Sequence, residues 1–300
     1  MPPPGDDGTG VGVYAHSVMT TDPPQPDRHL VRWIVVAGLA ALAVGGMMAL
    51  NFAAPTDSAR WERTFTATPN LRVAGDARIS VETSDRDDIT VSLDADWYGH
   101  RSAPSASVDG DTLVLRACDD SFWQSFYWHA HCSADFVIRV PKGMALTARS
   151  DRGRAEATGT YAALDIQTDS GRIEVADATS PKVRLRADSG SITFSGTAPS
   201  AEIRTDSGSV TIDATTTDLS ARTDSGSITA DLRGTPNHVK ASTDSGSISM
   251  TVPLTGYRIT TSTDSGRQDI DPRLSSGTSA RTIDLSTDSG SITLQGSEAP

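Results

Sequence analysis

The chain lacks most of what catalysis or nucleic-acid binding would need. It contains no Gly-x-Ser-x-Gly, no His-Glu-x-x-His and no phosphate-loop motif, and these motifs mark several large classes of enzyme. Its 26 Lys and Arg residues face 38 Asp and Glu residues, so the net charge is -12. Nucleic-acid binding requires clustered positive charge. These absences predict a protein that is not an enzyme, uses no cofactor or metal and binds no nucleic acid.

Charged residues are missing from Trp33 to Ala54. A stretch of this length is sufficient for a helix to cross a hydrocarbon layer about 30 Å thick. We therefore predict a single transmembrane α-helix over residues 30–54, behind a disordered Pro-rich cytoplasmic tail over residues 1–29. A cleaved signal peptide is the alternative, although its apolar core is usually shorter. The predicted location is the cell membrane, crossed once, with the C-terminal domain extracytoplasmic.

One tripeptide, Asp-Ser-Gly, occurs seven times in the second half of the chain. Its aspartates are Asp169, Asp188, Asp206, Asp224, Asp244, Asp264 and Asp288. Successive copies lie 19, 18, 18, 20, 20 and 24 residues apart, and a degenerate copy begins at Asp151. A near-constant period of this length indicates one small unit stacked on itself. We predict that each copy is a turn in which Gly supplies a positive φ and Asp caps the backbone.

Apolar residues alternate on both sides of each turn. Val183, Leu185 and Ala187 precede Asp188, apolar residues follow it four and six positions later, and other copies repeat these offsets. Such alternation predicts strand, corner and strand. Residues 151–300 are therefore predicted to form an all-β solenoid with coils of about 18–20 residues, preceded over residues 55–150 by irregular β coils that cap it. An antiparallel sandwich would not need identical turns.

The repeat Thr/Ala-Asp-Ser-Gly-Ser-Ile/Val-Thr behind one N-terminal membrane segment resembles the bacterial β-strand-repeat family called “putative adhesin” proteins. The resemblance covers roughly residues 60–300 and is strongest from Leu164 to Leu294. It implies a surface-exposed, right-handed β-helix, and it brings no catalytic residues because the activity of that family is poorly defined.

One copy departs from the pattern. After Asp264 the chain reads Arg267-Gln268-Asp269 where other copies read Ser-Ile-Thr. Gln268 falls on a position that is predicted to face inward. The 24-residue spacing that follows this copy predicts a bulged loop.

Stacking would turn each repeated residue into a row. Aspartates about 5 Å apart repel by roughly 0.8 kcal/mol even in water, so we expect Arg186, Arg204 and Arg222, each two residues before an aspartate, to offset this repulsion. The outward basic residues before the corners are expected to pair with these aspartates and with Glu202, or alternatively to meet an anionic wall polymer or lipid headgroups. They are Arg184, Arg186, Arg204, Arg222 and Lys240. Calcium held between coils is the alternative. The outward Ser and Thr residues that follow each corner predict a flat hydroxyl face, which either docks polysaccharide or simply solvates a strand.

Five aromatic residues gather between the two cysteines of an otherwise aromatic-poor chain: Phe122, Trp123, Phe126, Tyr127 and Trp128. In an exported domain, Cys118 and Cys132 are expected to form a disulfide that closes this loop. A zinc site that also uses His129 and His131 is the alternative. The aromatic residues either pack over the open end of the solenoid or form a contact patch for a partner, glycan or bilayer.

These features favour a non-enzymatic, membrane-anchored surface protein whose adhesin-like β-solenoid ectodomain binds a cell-envelope or surface component. Its expected partners are the membrane itself and an envelope polymer, a glycan or a membrane protein. The alternative function is an envelope stress or signalling module that acts through a membrane protein partner.

Overall fold

The computed structural model describes residues 56–98, 103–117 and 131–298. Across these ranges no helix is both long enough and apolar enough to cross a membrane. The predicted transmembrane helix over residues 30–54 and the predicted tail over residues 1–29 lie outside the described residues. Both therefore stay predictions.

Strands make up nearly all of the regular structure. In chain order they are β1 (Thr56–Thr66), β2 (Asn70–Ala74), β3 (Arg78–Ser84), β4 (Asp88–Tyr98), β5 (Ser105–Asp109), β6 (Thr112–Arg116), β7 (His131–Pro141), β8 (Met144–Ser150), β9 (Ala155–Thr168), β10 (Ile173–Thr179), β11 (Lys182–Ser189), β12 (Ile192–Thr197), β13 (Ser200–Ser207), β14 (Val210–Thr215), β15 (Asp218–Ser225), β16 (Ile228–Arg233), β17 (His238–Ser245), β18 (Ile248–Pro253), β19 (Arg258–Ser265), β20 (Gln268–Ile270), β21 (Thr282–Ser289) and β22 (Ile292–Ser297). A 3-10 helix at Pro272–Leu274 separates β20 from β21.

Each coil contributes one strand to each of two sheets. Strands that precede a corner, such as β11, β13, β15 and β17, form the back sheet, and strands that follow a corner, such as β12, β14, β16 and β18, form the front sheet. Pairing in both sheets is parallel: Ile203, for example, pairs with Leu185 in one neighbouring coil and Ala221 in the other. The predicted all-β solenoid is confirmed, and the antiparallel sandwich is excluded for the repeat array.

The apolar rows that the repeat predicts form the core between the two sheets. Before the Asp188 corner, Val183, Leu185 and Ala187 are at most 2% exposed, and after it Ile192 and Phe194 are at most 1% exposed. Fully burying one such side chain stabilises the fold by about 1.5–3 kcal/mol. A lone coil would leave these side chains in water, so the coils are stable because they stack.

Chain order and stacking order differ at the C-terminal end of the array. The coil of β21 and β22 pairs on one side with β17 and β18 and on the other side with β19 and β20. The coil of β19 and β20 is therefore outermost, although it comes earlier in the chain. The 24-residue spacing after Asp264, where the sequence predicts a bulged loop, corresponds to the return connection through residues 271–281.

Chain order and stacking order also differ at the N-terminal end, and we call such a difference an exchange of coils. β2 and β3 form the first coil of the described chain, yet they lie between the pair β6 and β7 and the pair β8 and β9. Antiparallel strands finish this end, where β4 pairs with β7 and with β1, and β5 pairs with β6. The described residues between 56 and 150 thus combine parallel coils with antiparallel edge strands.

Gln268 shows how the outermost coil is closed. It occupies the inward register position opposite Ile292, but it is exposed rather than buried, because no described coil covers β20. Thr261 Oγ1 donates to Gln268 Oε1 at 2.6 Å, and Ile259 and Ile270 of the same coil are partly buried against the core. A polar pair therefore replaces an apolar one at the end of the core.

Candidate binding surface

A column of glycines forms the corner of the stack. A Cβ on Gly208 would lie 2.0 Å from the carbonyl oxygen of Gly190, and a Cβ on Gly226 would lie 2.0 Å from that of Gly208. The same clash, with the glycine of the adjacent coil, would occur at Gly171, Gly190, Gly246, Gly266 and Gly290. The φ of Gly208 is 159°, which is close to extended backbone. Glycine is needed at these corners because neighbouring backbones approach closely. The predicted positive φ is also found, with values of 152° at Gly226 and 155° at Gly246.

A threonine before each aspartate joins neighbouring corners. Oγ1 of the buried Thr223 donates to the carbonyl oxygen of Gly208 at 3.1 Å. Bonds of 3.0 or 3.1 Å run in the same way from Thr205, Thr243, Thr263 and Thr287. Sequence reasoning treated these positions as part of the apolar row. The signal it missed was that threonine, rather than valine, recurs there.

The repeat aspartates lie on the outer edge of the corner and are exposed or half-exposed. Two of the three predicted arginine partners are confirmed: Arg204 lies 3.2 Å from Asp206, and Arg222 lies 3.0 Å from Asp224. Arg222 also lies 3.5 Å from Asp244 in the next coil. These exposed pairs each contribute little to stability, but they offset the repulsion along the aspartate row.

The third predicted arginine, Arg186, pairs with a glutamate instead of an aspartate. Arg186 pairs with Glu202 at 2.9 Å, and Arg184 reaches the other oxygen of the same carboxylate at 3.0 Å. Burial raises the pKa of Glu202, but hydrogen bonds from both guanidinium groups outweigh it and hold that pKa below its ordinary value. The four arginines Arg184, Arg186, Arg204 and Arg222 of the back sheet are thus each paired with a carboxylate of the same sheet.

The corners and the front sheet together present a face of hydroxyl groups, which we call the hydroxyl face. It extends over five stacked coils, whose corners lie at Asp188, Asp206, Asp224, Asp244 and Asp288. Its three rows consist of Ser189, Ser207, Ser225, Ser245 and Ser289; Ser191, Ser209, Ser227, Ser247 and Ser291; and Thr193, Thr211, Thr229, Ser249 and Thr293. Every member is exposed or half-exposed. Like residues face one another at the spacing of neighbouring strands, about 4.8 Å.

The middle row of the hydroxyl face continues toward the N-terminal end as arginine. Arg172, Arg154 and Arg78 take the position that serine holds elsewhere, in three adjacent coils. Backbone bonds fix this succession: Ile173 N donates to Ser191 O, Ala155 N to Arg172 O and Ile79 N to Arg154 O. Guanidinium groups therefore replace hydroxyls at one end of a single continuous track.

A groove of about 870 Å³ accompanies these arginines, and we call it the corner groove. Arg78, Arg152, Arg154 and Arg172 line it together with carboxylates, and Gly153, Gly171 and Gly190 bring bare backbone to its wall. It crosses several coils, from residues 132–135 to residues 189–191. Its volume is in the range of ligand sites, which is about 300–1,000 Å³.

Several predicted site residues fall elsewhere. Cys132 is buried at the start of β7, beside the corner groove. Cys118, His129 and the aromatic residues Phe122, Trp123, Phe126, Tyr127 and Trp128 lie outside the described residues, so the disulfide, the zinc site and the contact patch stay predictions. In the part of the chain that is described, no group of three or more His, Cys, Asp or Glu residues could hold a metal ion.

The chain resembles some solved structures weakly. Among solved structures, a “putative adhesin” from Bacteroides fragilis is 15% identical and aligns over 80% of this chain and 97% of its own, with a TM-score of 0.46. A “putative adhesin” from Parabacteroides distasonis is 12% identical, with coverages of 79% and 97% and a TM-score of 0.39. Similarity at this level says nothing about what this chain binds. A search of curated proteins finds no match.

A family model gives the stronger match. Residues 70–295 match the model of the Toastrack DUF4097 family. The matched region contains β2 to β21 and most of β22, and with them both sheets and the glycine column. This chain therefore belongs to the Toastrack DUF4097 family.

Proposed function

We propose that this protein is a non-enzymatic, membrane-anchored surface protein whose adhesin-like solenoid binds a cell-envelope or surface component. The hydroxyl face is the observation that carries this proposal. Hydroxyl groups both donate and accept hydrogen bonds, and here they recur once per coil in three rows. A polymer with regular units that lies along the stack would meet the same groups at every coil.

The anchoring part of the proposal depends on the uncharged stretch from Trp33 to Ala54. We place one membrane helix over residues 30–54 and the solenoid, wound as a right-handed helix, on the extracytoplasmic side. The length of the stretch supports a span, and the large β domain with two cysteines supports the outward orientation.

The test uses the full chain in detergent and cell-envelope fractions that have been treated with protease, so that glycans and wall polymers remain. Thr211→Glu with Thr229→Glu places two charges on the hydroxyl face at exposed positions. Ser220→Glu with Ser242→Glu makes the same change on adjacent coils of the back sheet and serves as the control. We expect the first pair to weaken binding at least about tenfold, and the control pair to leave it unchanged.

Other outcomes would decide against the proposal. Equal loss in both pairs would show that added negative charge, and not the hydroxyl face, is responsible. A wild-type chain that retains no envelope fraction but copurifies with a defined membrane protein would favour the signalling alternative. In that case, exchanging residues 33–54 for an unrelated span should abolish the copurification.

A further inference from the structure

We propose that the corner groove binds a linear acidic polysaccharide, whose carboxylates pair with Arg78, Arg154 and Arg172 while the chain extends along the hydroxyl face. This inference deepens the proposed function, because it names a ligand class and the residues that recognise its charge. It rests on the succession of arginine and serine in one row, on the groove beside that row, and on how weakly each arginine is paired with a carboxylate.

Arg172 is the most available of the three arginines. Its Nε donates to Ser191 Oγ at 3.2 Å, and within the described residues no carboxylate lies in ion-pair distance of it. A guanidinium that lacks a carboxylate partner retains most of its donors for a ligand, and its flat fork matches a carboxylate in a bidentate way.

The other two arginines have partners that a ligand can displace. Arg78 lies 3.5 Å from Asp135, with side chains 65% and 45% exposed. Arg154 lies 3.1 Å from Glu156 and 4.0 Å from Glu174, and all three side chains are more than a third exposed. Exposed pairs of this kind contribute about 0–1 kcal/mol, so exchanging one carboxylate for another costs little.

The mixture of groups in the corner groove fits a sugar acid better than a nucleic acid. A uronic acid unit carries one carboxylate and several hydroxyls, which require cationic donors together with acceptors and neutral donors. Arginines, the carboxylates of Asp135 and Glu156, and the serines of the corner supply this set. A nucleic acid would bring dense negative charge to a chain whose net charge is -12, without enough arginines to offset it.

The geometry also fits a linear chain. Adjacent coils repeat at about 4.8 Å, which is close to the length of one sugar unit in an extended β-1,4-linked polysaccharide. Successive units would therefore meet successive coils: arginines at one end of the track and hydroxyls farther along. The backbone of Gly171 and Gly190 forms part of the wall of the groove.

The experiment measures binding of the full chain in detergent to β-1,4-linked mannuronate and α-1,4-linked galacturonate hexamers, and to cellohexaose as the uncharged counterpart. The test variant is Arg78→Gln with Arg154→Gln and Arg172→Gln. Its matched control, Arg186→Gln with Arg204→Gln and Arg222→Gln, removes the same charge from three in-register arginines of the back sheet. We expect the groove variant to weaken binding of at least one uronate hexamer about tenfold or more, and the control to change it less than about twofold.

Three results would overturn this inference. They are equal losses in the two triple variants, cellohexaose binding as tight as uronate binding, and no binding of either uronate by the wild type. In each case retention of protease-treated envelope fractions by the wild type would leave the proposed function standing. If the groove variant does not fold, Arg172→Gln alone replaces it, because this arginine pairs with no described carboxylate; a loss below about twofold would then count against the inference.

Discussion

Coils in the middle of the stack lie on the coil that precedes them in the chain, whereas coils at both ends do not. From β10 to β18 the succession is regular. At the C-terminal end, the coil of β21 and β22 lies between the coil of β17 and β18 and the coil of β19 and β20. At the N-terminal end, the coil of β2 and β3 lies between the pair β6 and β7 and the pair β8 and β9. The repeat therefore determines how one coil packs on another, but not which coil it packs on, because all corners share one geometry.

Coils in the middle of the stack and coils at its ends differ in how many neighbouring coils cover them. A middle coil is covered on both faces, so its glycine, threonine and apolar rows all make contacts on two sides. Within the described part of the chain, the outermost coil of β19 and β20 is covered on one face only, and its inward positions include Thr261 and the exposed Gln268. Equivalent substitutions should therefore cost more in the middle than at the end.

The largest difference is expected at the glycine column. In Gly226→Ala the new Cβ would lie 2.0 Å from the carbonyl oxygen of Gly208, and the coils on both sides prevent relief by movement. We expect a loss of about 4 kcal/mol or more in the free energy of unfolding, or no soluble protein. Chemical denaturation followed by circular dichroism measures this loss.

Gly266→Ala and Gly277→Ala provide the two comparisons for Gly226→Ala. Gly266 would meet the Gly290 carbonyl at 1.9 Å. Among the described residues no coil covers the other side of its coil, so the coil can shift and the expected loss is smaller. Gly277 has no atom within 4 Å of its Cβ position, so that variant should match the wild type. Equal losses at Gly226 and Gly266 would show that the end coil is held as firmly as the middle.

A second difference is expected in the apolar rows. Ile228 is fully buried between two neighbouring coils, whereas Ile259 is partly buried in the outermost coil. Ile228→Ala should lower the free energy of unfolding by about 2–5 kcal/mol. Ile259→Ala should cost about 1 kcal/mol, because part of its surface already meets water. The same denaturation experiment compares them, and a larger loss at Ile259 would contradict the proposed stacking order.

The inward rows could be predicted from the sequence because their cause is local. Alternation around each Asp-Ser-Gly corner determines which side chains face the core, and every copy repeats it. Stacking order could not be predicted in this way, since it depends on pairing between coils with nearly the same surface. The spacing after Asp264 was a correct sign of irregularity, but a length alone does not distinguish a bulge from a return connection.

The candidate surface was predictable to a similar extent. Outward serines and threonines follow from the parity of the strands, so the hydroxyl face could be predicted. The corner groove could not, because Arg78 and Arg154 lie in coils that the repeat barely marks and are adjacent through the exchange at the N-terminal end. Pairing of the basic residues with Glu202 was also expected from the sequence, and Arg184 and Arg186 both pair with it.

A smaller effect is expected when a threonine that donates to a glycine carbonyl of the adjacent coil loses its hydroxyl group. Thr223→Val keeps the shape of the side chain but removes the hydroxyl that donates to Gly208 O at 3.1 Å, and should cost about 1 kcal/mol. Thr168 is buried, and its Oγ1 has no hydrogen-bond partner among the described residues. Thr168→Val should therefore be neutral or stabilising. Equal destabilisation by the two variants would contradict the hydrogen-bond role, and thermal unfolding distinguishes these outcomes.

The smallest expected effect concerns the connection that holds the exchanged end coils. Asp271 Oδ1 accepts from Arg273 N at 3.0 Å and from Arg273 Nε at 3.1 Å. Side-chain and backbone hydrogen bonds from Arg273 lower the pKa of Asp271 to about 2. A carboxyl whose pKa is depressed in the folded state stabilises that state above its unfolded pKa and loses this contribution as the pH falls through its folded pKa.

The wild type should therefore lose protection of β19 and β20 as the pH falls from about 4 to about 2, whereas Asp271→Asn should already be less protected at about pH 5 and change less. Amide hydrogen exchange of these two strands is the measurement, because it reports opening of the end coil separately from the middle. Asp269→Asn, at an exposed position of the same coil, should follow the wild type. An Asp271→Asn variant with the pH dependence of the wild type would mean that the connection does not hold the outermost coil through this carboxylate.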